Sequence, residues 1–122
     1  MSARDTFAKY GLEINAHDFD RLAPLISSEC TFWFSSGTHR GIDQARRAFE
    51  RTWSKIEKEV YSLSDVDWIA ESGGAAVCIY TFHWEGIVDG QRREGTGRGT
   101  SCLRKETDTW RIVHEHLSPS PA

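Results

Sequence analysis

GAAVCIYTFHWEGIVDGQRREGTGRGTSCLRK, residues 74–105, decides the fold class. Gly74 to Val88 is rich in β-branched and aromatic residues, and Arg92 to Lys105 reads as a second long strand. Between them, Asp89-Gly90 is a two-residue hairpin signal, so the two strands pair antiparallel. The pattern extends in both directions. Val60 to Glu71 precedes it across Ser72-Gly73-Gly74, and Thr109 to Ser118 follows across Glu106-Thr107-Asp108. The second half of the chain therefore reads as four consecutive strands.

The first half is mostly helical. Phe7, Tyr10, Gly11 and Ile14 recur at helical spacing, which predicts an amphipathic helix near Ala3 to Ala16. Asp18 is a suitable N-cap for a second short helix carrying Phe19, Leu22, Ala23, Leu25 and Ile26, kinked or shortened by Pro24. Thr31 to Ser35 reads as a strand closed by Ser36-Gly37. Gly41-Ile42-Asp43 then opens a third helix. Its apolar stripe is Ile42, Ala45, Phe49, Trp53 and Ile56, while Arg46, Arg47, Glu50, Arg51, Lys55 and Glu59 form a solvated face. Helices gathered before a meander predict an α+β domain with helices on one face of the sheet. Strands this long curl, and helices laid across the hollow leave a pocket.

Composition narrows the function. The chain has 122 residues, 39% hydrophobic and 11% aromatic, enough for one folded core. The formal charge of −3 argues against sequence-independent nucleic-acid binding. The longest apolar run, Ala75 to Tyr80, is far short of the ~20 residues of a membrane helix, so no membrane partner is expected. Met1-Ser2-Ala3-Arg4-Asp5 has no apolar signal core. Cys30, Cys78 and Cys102 form no C-x-x-C pair, and they read as buried thiols in a reducing, cytoplasmic setting. Five Trp are a high count for this length: Trp53 falls on the inward helix stripe, and Trp33, Trp68, Trp84 and Trp110 fall on strands.

Strand alternation sorts the last strand into two sets. Trp110, Ile112, His114 and His116 share one face, and Arg111, Val113, Glu115 and Leu117 share the other. Both sets contain apolar residues, so periodicity leaves open which meets the pocket. His114 and His116 are spaced for two metal-ligating imidazoles, with His83 or Cys102 as a possible third ligand, or for histidines paired across an interface. Arg98, between Gly97 and Gly99, falls by parity on the histidine face. His17 and His39 fall in loops and read as solvated. Asp65 and Asp67 sit on an exposed edge, with no role. No metal and no cofactor are expected.

Ala16-His17-Asp18-Phe19-Asp20, Gly41-Ile42, Gly97-Arg98-Gly99-Thr100 and above all Trp110-Arg111-Ile112-Val113-His114-Glu115-His116-Leu117-Ser118 carry a resemblance covering nearly the whole chain. The chain resembles the nuclear transport factor 2-like superfamily, and within it the SnoaL-like and calmodulin-dependent-kinase association-domain branch. The resemblance implies a cone-shaped, cystatin-like fold. N-terminal helices would pack on a curved, mainly antiparallel sheet enclosing a pocket, as a single domain over residues 1–118 with a disordered tail at 119–122. It also implies a homodimer through the convex sheet face, with Trp33 and Trp110 there. It points the Glu115 face into the pocket and adds Phe34, Tyr80, Phe82, Tyr10, Phe49 and Trp53 to Val113 and Leu117 as its lining. Laid along the ketosteroid isomerases, the catalytic Tyr falls on Tyr10. The base, however, falls on Phe34, and the second acid falls near Thr100 or Ser101, so their standard chemistry is not expected. The fold carries isomerases, cyclases, dehydratases and non-catalytic assembly modules alike. Two expectations follow. One is an enzyme in which Glu115, its pKa raised among aromatics, moves a proton on an apolar polyketide-, terpenoid- or steroid-like compound while Tyr10 or Tyr80 steadies an oxyanion. The other is a ligand-binding or oligomerisation module in which Glu115 is an ordinary ion pair.

Overall fold

The computed structural model describes residues 1–121. Helix α1, Ala3–Glu13, opens on a reciprocal cap: the Ser2 Oγ accepts from Asp5 N–H, and the Asp5 carboxylate accepts from Ser2 N–H. Phe7 and Tyr10 are its buried face. The chain leaves α1 through a 3-10 turn at Ile14–Ala16, and His17 takes a left-handed φ of 54°. The predicted second α-helix is two 3-10 turns, Phe19–Arg21 and Ala23–Leu25, because Pro24 interrupts the ladder. Ile26, expected in that helix, opens strand β1 (Ile26–Phe34). A short β2 (Gly37–Arg40), which the sequence did not suggest, leads into α2 (Gly41–Lys55). Ala45, Ala48 and Phe49 are buried on α2, and Ile42 and Trp53 pack against the same core.

The predicted meander follows: β3 (Glu57–Glu71), β4 (Ala75–Val88), β5 (Gln91–Glu106) and β6 (Thr109–Pro119). The six strands form one open sheet in the order β2-β1-β6-β5-β4-β3. All neighbours are antiparallel except β1 and β6, which run parallel with Phe32 beside Glu115. The 119–122 tail begins differently from the expectation: Pro119 closes β6 and Ser120 N–H donates to the Thr96 carbonyl at 3.3 Å. Ala122 lies outside the described residues.

Two local devices place the core. In β6 the register slips between Cys102↔His114 and Leu103↔Ile112, which makes a bulge at Val113. The bulge turns Ile112 and Glu115 to the same buried side. Ile112 thus leaves the histidine set assigned by strict alternation, and Trp110, expected on the convex face, packs against the core with it. Trp33 does lie outside, 46% exposed, with its ring edge-on to His114 and His116. In β5, Gly95, Gly97 and Gly99 face Trp84, Phe82 and Tyr80 on β4. A Cβ at any of them would fall within 2.5 Å of the opposite ring, so the bare strand is the surface on which these rings lie.

The turns differ in fit. Asp89 and Gly90 both take positive φ, 51° and 78°, as the two-residue hairpin requires. Thr107 takes φ 58°, a conformation that a β-branched residue resists. Thr107→Asn is expected to raise unfolding stability by roughly 1 kcal/mol, read by urea titration, because Asn tolerates the left-handed region.

Candidate functional site

Glu115 is 2% exposed, and among the described residues no lysine or arginine reaches it. Its carboxyl is instead surrounded by hydroxyls. Tyr10 donates to Oε2 at 2.7 Å, and Tyr80 and Ser101 reach Oε1 at 2.8 and 2.9 Å. The Tyr80 and Ser101 oxygens are 2.7 Å apart. The expected ion pair at Glu115 is therefore not what holds it.

Each partner arrives from a different element. Tyr10 comes down from α1. Ser101 is the register partner of Glu115 across β5–β6, and Cys78 is the partner of Ser101 across β4–β5. Tyr80 lies one inward row away, opposite Gly99, and its ring crosses the strand where Gly99 has no side chain. Burial pushes the Glu115 carboxyl up, and the hydrogen bonds from Tyr10, Tyr80 and Ser101 act against that. Burial, then the neighbouring Glu115 charge, pushes the Tyr10 and Tyr80 phenols well above their ordinary value, so both stay protonated donors at neutral pH.

Phe49 is the aromatic hub above this cluster. Its ring lies 6.3 Å from Tyr10, 5.9 Å from Phe34 and 5.6 Å from Trp53. Phe34, Trp53, Phe82 and Leu117 are half-buried against the core. Phe82 stacks on Tyr61, with ring centroids 6.1 Å apart. The residues named from the sequence thus share the inner face. A concavity of about 340 Å³ lies elsewhere, towards one end of β3–β5, lined among others by Val60, His83, Trp84 and Glu94 and by none of those residues.

Several inner-face residues escaped the sequence reading. Ser101 stood only at the approximate position of a second acid, and Tyr61 gave no local signal. Glu59, expected on the solvated face of the third helix, is buried in β3, because α2 ends at Lys55 and the chain turns into the sheet. His17 and His39, expected to be solvated, are engaged: His17 Nε2 meets the Glu59 carbonyl at 2.9 Å, and His39 is buried with Nε2 at 2.9 Å from Ser36 Oγ. On the outer face, His114 Nδ1 lies 2.6 Å from the Thr31 carbonyl and His83 bonds Ser64. Among the described residues, no three His, Cys, Asp or Glu side chains gather as a metal would need. None of the described helices is long and apolar enough to cross a membrane.

Comparison with known proteins places this geometry. The model of the SnoaL-like domain matches residues 3–122. A nuclear transport factor 2-like superfamily protein from Salmonella enterica superposes with a TM-score of 0.87 at 26% identity, covering 97% of this chain and 88% of that one. A cystatin-like-fold protein from Caulobacter vibrioides superposes at 0.83 with 19% identity, covering 97% and 87%. The association domain of C. elegans CaMKII superposes at 0.76 with 15% identity, covering 94% and 91%. No curated protein matches the chain. The family match over nearly the full length, together with helices packed on an open six-stranded mixed sheet, shows that the chain belongs to the SnoaL-like family of the nuclear transport factor 2-like superfamily.

Proposed function

We propose that this domain binds a small, largely apolar molecule on the inner face and that Glu115 exchanges a proton with it, without cofactor. One observation carries the reading: Glu115 is a fully buried carboxyl with no lysine or arginine beside it among the described residues, surrounded by hydroxyls that stay protonated. Burial makes such a carboxyl a stronger base than an exposed one. A ligand carbonyl entering between Tyr10 and Glu115 replaces their 2.7 Å hydrogen bond. Oε2 then takes a proton from the carbon beside the carbonyl, and the Tyr10 hydroxyl donates to the enolate oxygen. Returning the proton to a different carbon is isomerisation. Expelling a neighbouring hydroxyl as water is dehydration, and attack of the enolate carbon on a second carbonyl is cyclisation. Tyr80 and Ser101 hold Oε1 throughout, and Phe34, Phe49, Trp53, Phe82 and Leu117 supply the apolar wall.

The test is hydrogen–deuterium exchange at the α-carbon of β-tetralone in D2O, followed by proton NMR. Exchange above the buffer rate is expected, falling by about two orders of magnitude in Glu115→Gln. No exchange above buffer, with Glu115 titrating in the ordinary carboxylate range, would favour the second reading: a non-catalytic binding or assembly module. One observation supports that reading: Trp33, Val66, Ile69 and Ile79 are large apolar side chains left exposed. Under either reading the outer face is proposed to pair two copies. Trp33→Asp is expected to convert a dimer to a monomer in light scattering at micromolar concentration.

A further inference from the structure

The outer face of the sheet holds two histidines that the proposed proton transfer leaves unused. His114 and His116 lie two residues apart on β6, past the bulge at Val113, where the ladder is regular, so both side chains leave the same side of the strand. Trp33 on β1 is their common neighbour: its ring centroid is 4.9 Å from that of His114 and 5.4 Å from that of His116. The register sets what surrounds them. Trp33, His116, Thr100 and Ile79 form one row across β1, β6, β5 and β4, and Thr31, His114, Cys102 and Val77 form the next. Neither row contains a carboxylate, a lysine or an arginine. Trp33 and Ile79 are exposed at the two ends of the first.

The hydrogen bonding suits this pair to a metal. A carbonyl oxygen only accepts, so the 2.6 Å contact with Thr31 fixes the proton of His114 on Nδ1 and leaves Nε2 as a lone-pair nitrogen. Proteins orient metal-ligating imidazoles in this way, with the far N–H held by a carbonyl. His116 is exposed, so its ring is open to a ligand. Two imidazoles are half of the tetrahedral set that Zn2+ takes, and among the described residues no third His, Cys, Asp or Glu joins them. The other half has to come from outside the chain. A second copy, related by a two-fold axis, brings the same two histidines and covers both Trp33 rings. A patch with no fixed charge in its rows meets its own copy without like-charge repulsion.

We propose that His114 and His116 of two copies together bind one divalent transition-metal ion, which bridges the outer faces. The inference rests on the outer-face pairing stated above and names the group that tightens it. The ion sits on the two-fold axis, with the Trp33 rings beside it.

The experiment measures the dimer dissociation constant of the untagged whole chain by sedimentation equilibrium, in EDTA and in a slight excess of Zn2+. Native mass spectrometry counts the bound zinc. The expected result is one zinc per two chains and a dissociation constant lowered about ten-fold or more by zinc. Mg2+, which prefers oxygen ligands, should leave it unchanged. His116→Ala and His114→Gln should each reduce the zinc effect to less than about two-fold, while Cys102→Ser keeps it. Circular dichroism checks folding, and His116→Ala, at an exposed position, suffices alone if His114→Gln fails to fold. Zinc bound at one per chain with pairing unchanged overturns the shared site. A zinc effect that survives both histidine variants also overturns it. A dimer in EDTA that Trp33→Asp splits and zinc does not tighten overturns the bridge but keeps the outer-face pairing. A chain that stays monomeric with and without zinc overturns both.

Discussion

Glu115→Ala is expected to lower the free energy of unfolding by roughly 4 kcal/mol. Two losses add. The side chain is fully enclosed, so its removal leaves a cavity, and the hydroxyls of Tyr10, Tyr80 and Ser101 lose their shared acceptor. Glu115→Gln separates shape from charge. The amide fills the space but brings donors where donors already converge, and a cost of about 1–2 kcal/mol is expected. The pH profile gives the sign independently. Glu115 and Glu59 bind a proton more readily folded than unfolded, Glu59 with a value of about 7 against 4.5. Between those limits the folded state carries more protons, so stability falls as pH rises. The contribution of Glu59 is full below about pH 4.5 and lost by about pH 7. Urea unfolding at pH 5 and pH 8 should show that decline in the wild type. Glu59→Gln should flatten it, with Glu115→Gln removing a further part. A wild type that gains stability across this range would contradict both assignments.

Gly97→Ala is the second large effect. The new Cβ would stand 2.3 Å from Phe82 Cζ and 2.3 Å from the carbonyl oxygen of Ser118. The ring can turn, but the carbonyl belongs to the neighbouring strand, and moving it breaks the β5–β6 pairing. A loss of about 3 kcal/mol is expected, measured by thermal and urea unfolding. Gly99→Ala provides the contrast. Its Cβ meets the Tyr80 ring at 2.4 Å and Leu117 Cδ2 at 2.8 Å, both side chains. It should cost less and act on the site, by pushing the Tyr80 hydroxyl away from Glu115. The signature is a changed Glu115 titration in Gly99→Ala and the larger loss of stability in Gly97→Ala. Equal tolerance of both substitutions would contradict the packing.

The parts of the fold legible in the sequence were those with local causes. Asp89-Gly90 marked a hairpin because only a positive-φ turn joins strands so closely, and the α2 stripe marked its buried face at helical spacing. The parallel contact of β1 with β6 joins residues such as Thr31 and His114, 83 apart, and no local pattern announces it. The bulge at Val113 shifted the phase of β6, so strict alternation misplaced Ile112 and Trp110. Glu115 and Tyr10 were identified through the family resemblance, since alternation left both faces of β6 open. Ser101 matters because Glu115 lies opposite it on the next strand, and Glu59 and His17 because the turn after α1 meets the start of β3. A serine, a glutamate and a histidine carry no mark of that in the chain itself.

The place of β6 in the sheet has a further consequence. It is the last strand in sequence, yet it lies between β1 and β5 and bonds to both. During synthesis, α1, β1, β2 and α2 emerge with no sheet to complete, and β3 to β5 emerge as a meander with one raw edge. Neither half closes its core until β6 has left the ribosome. Contacts so distant in sequence slow folding and lengthen the time for which Phe7, Phe32 and Phe49 remain open to other chains.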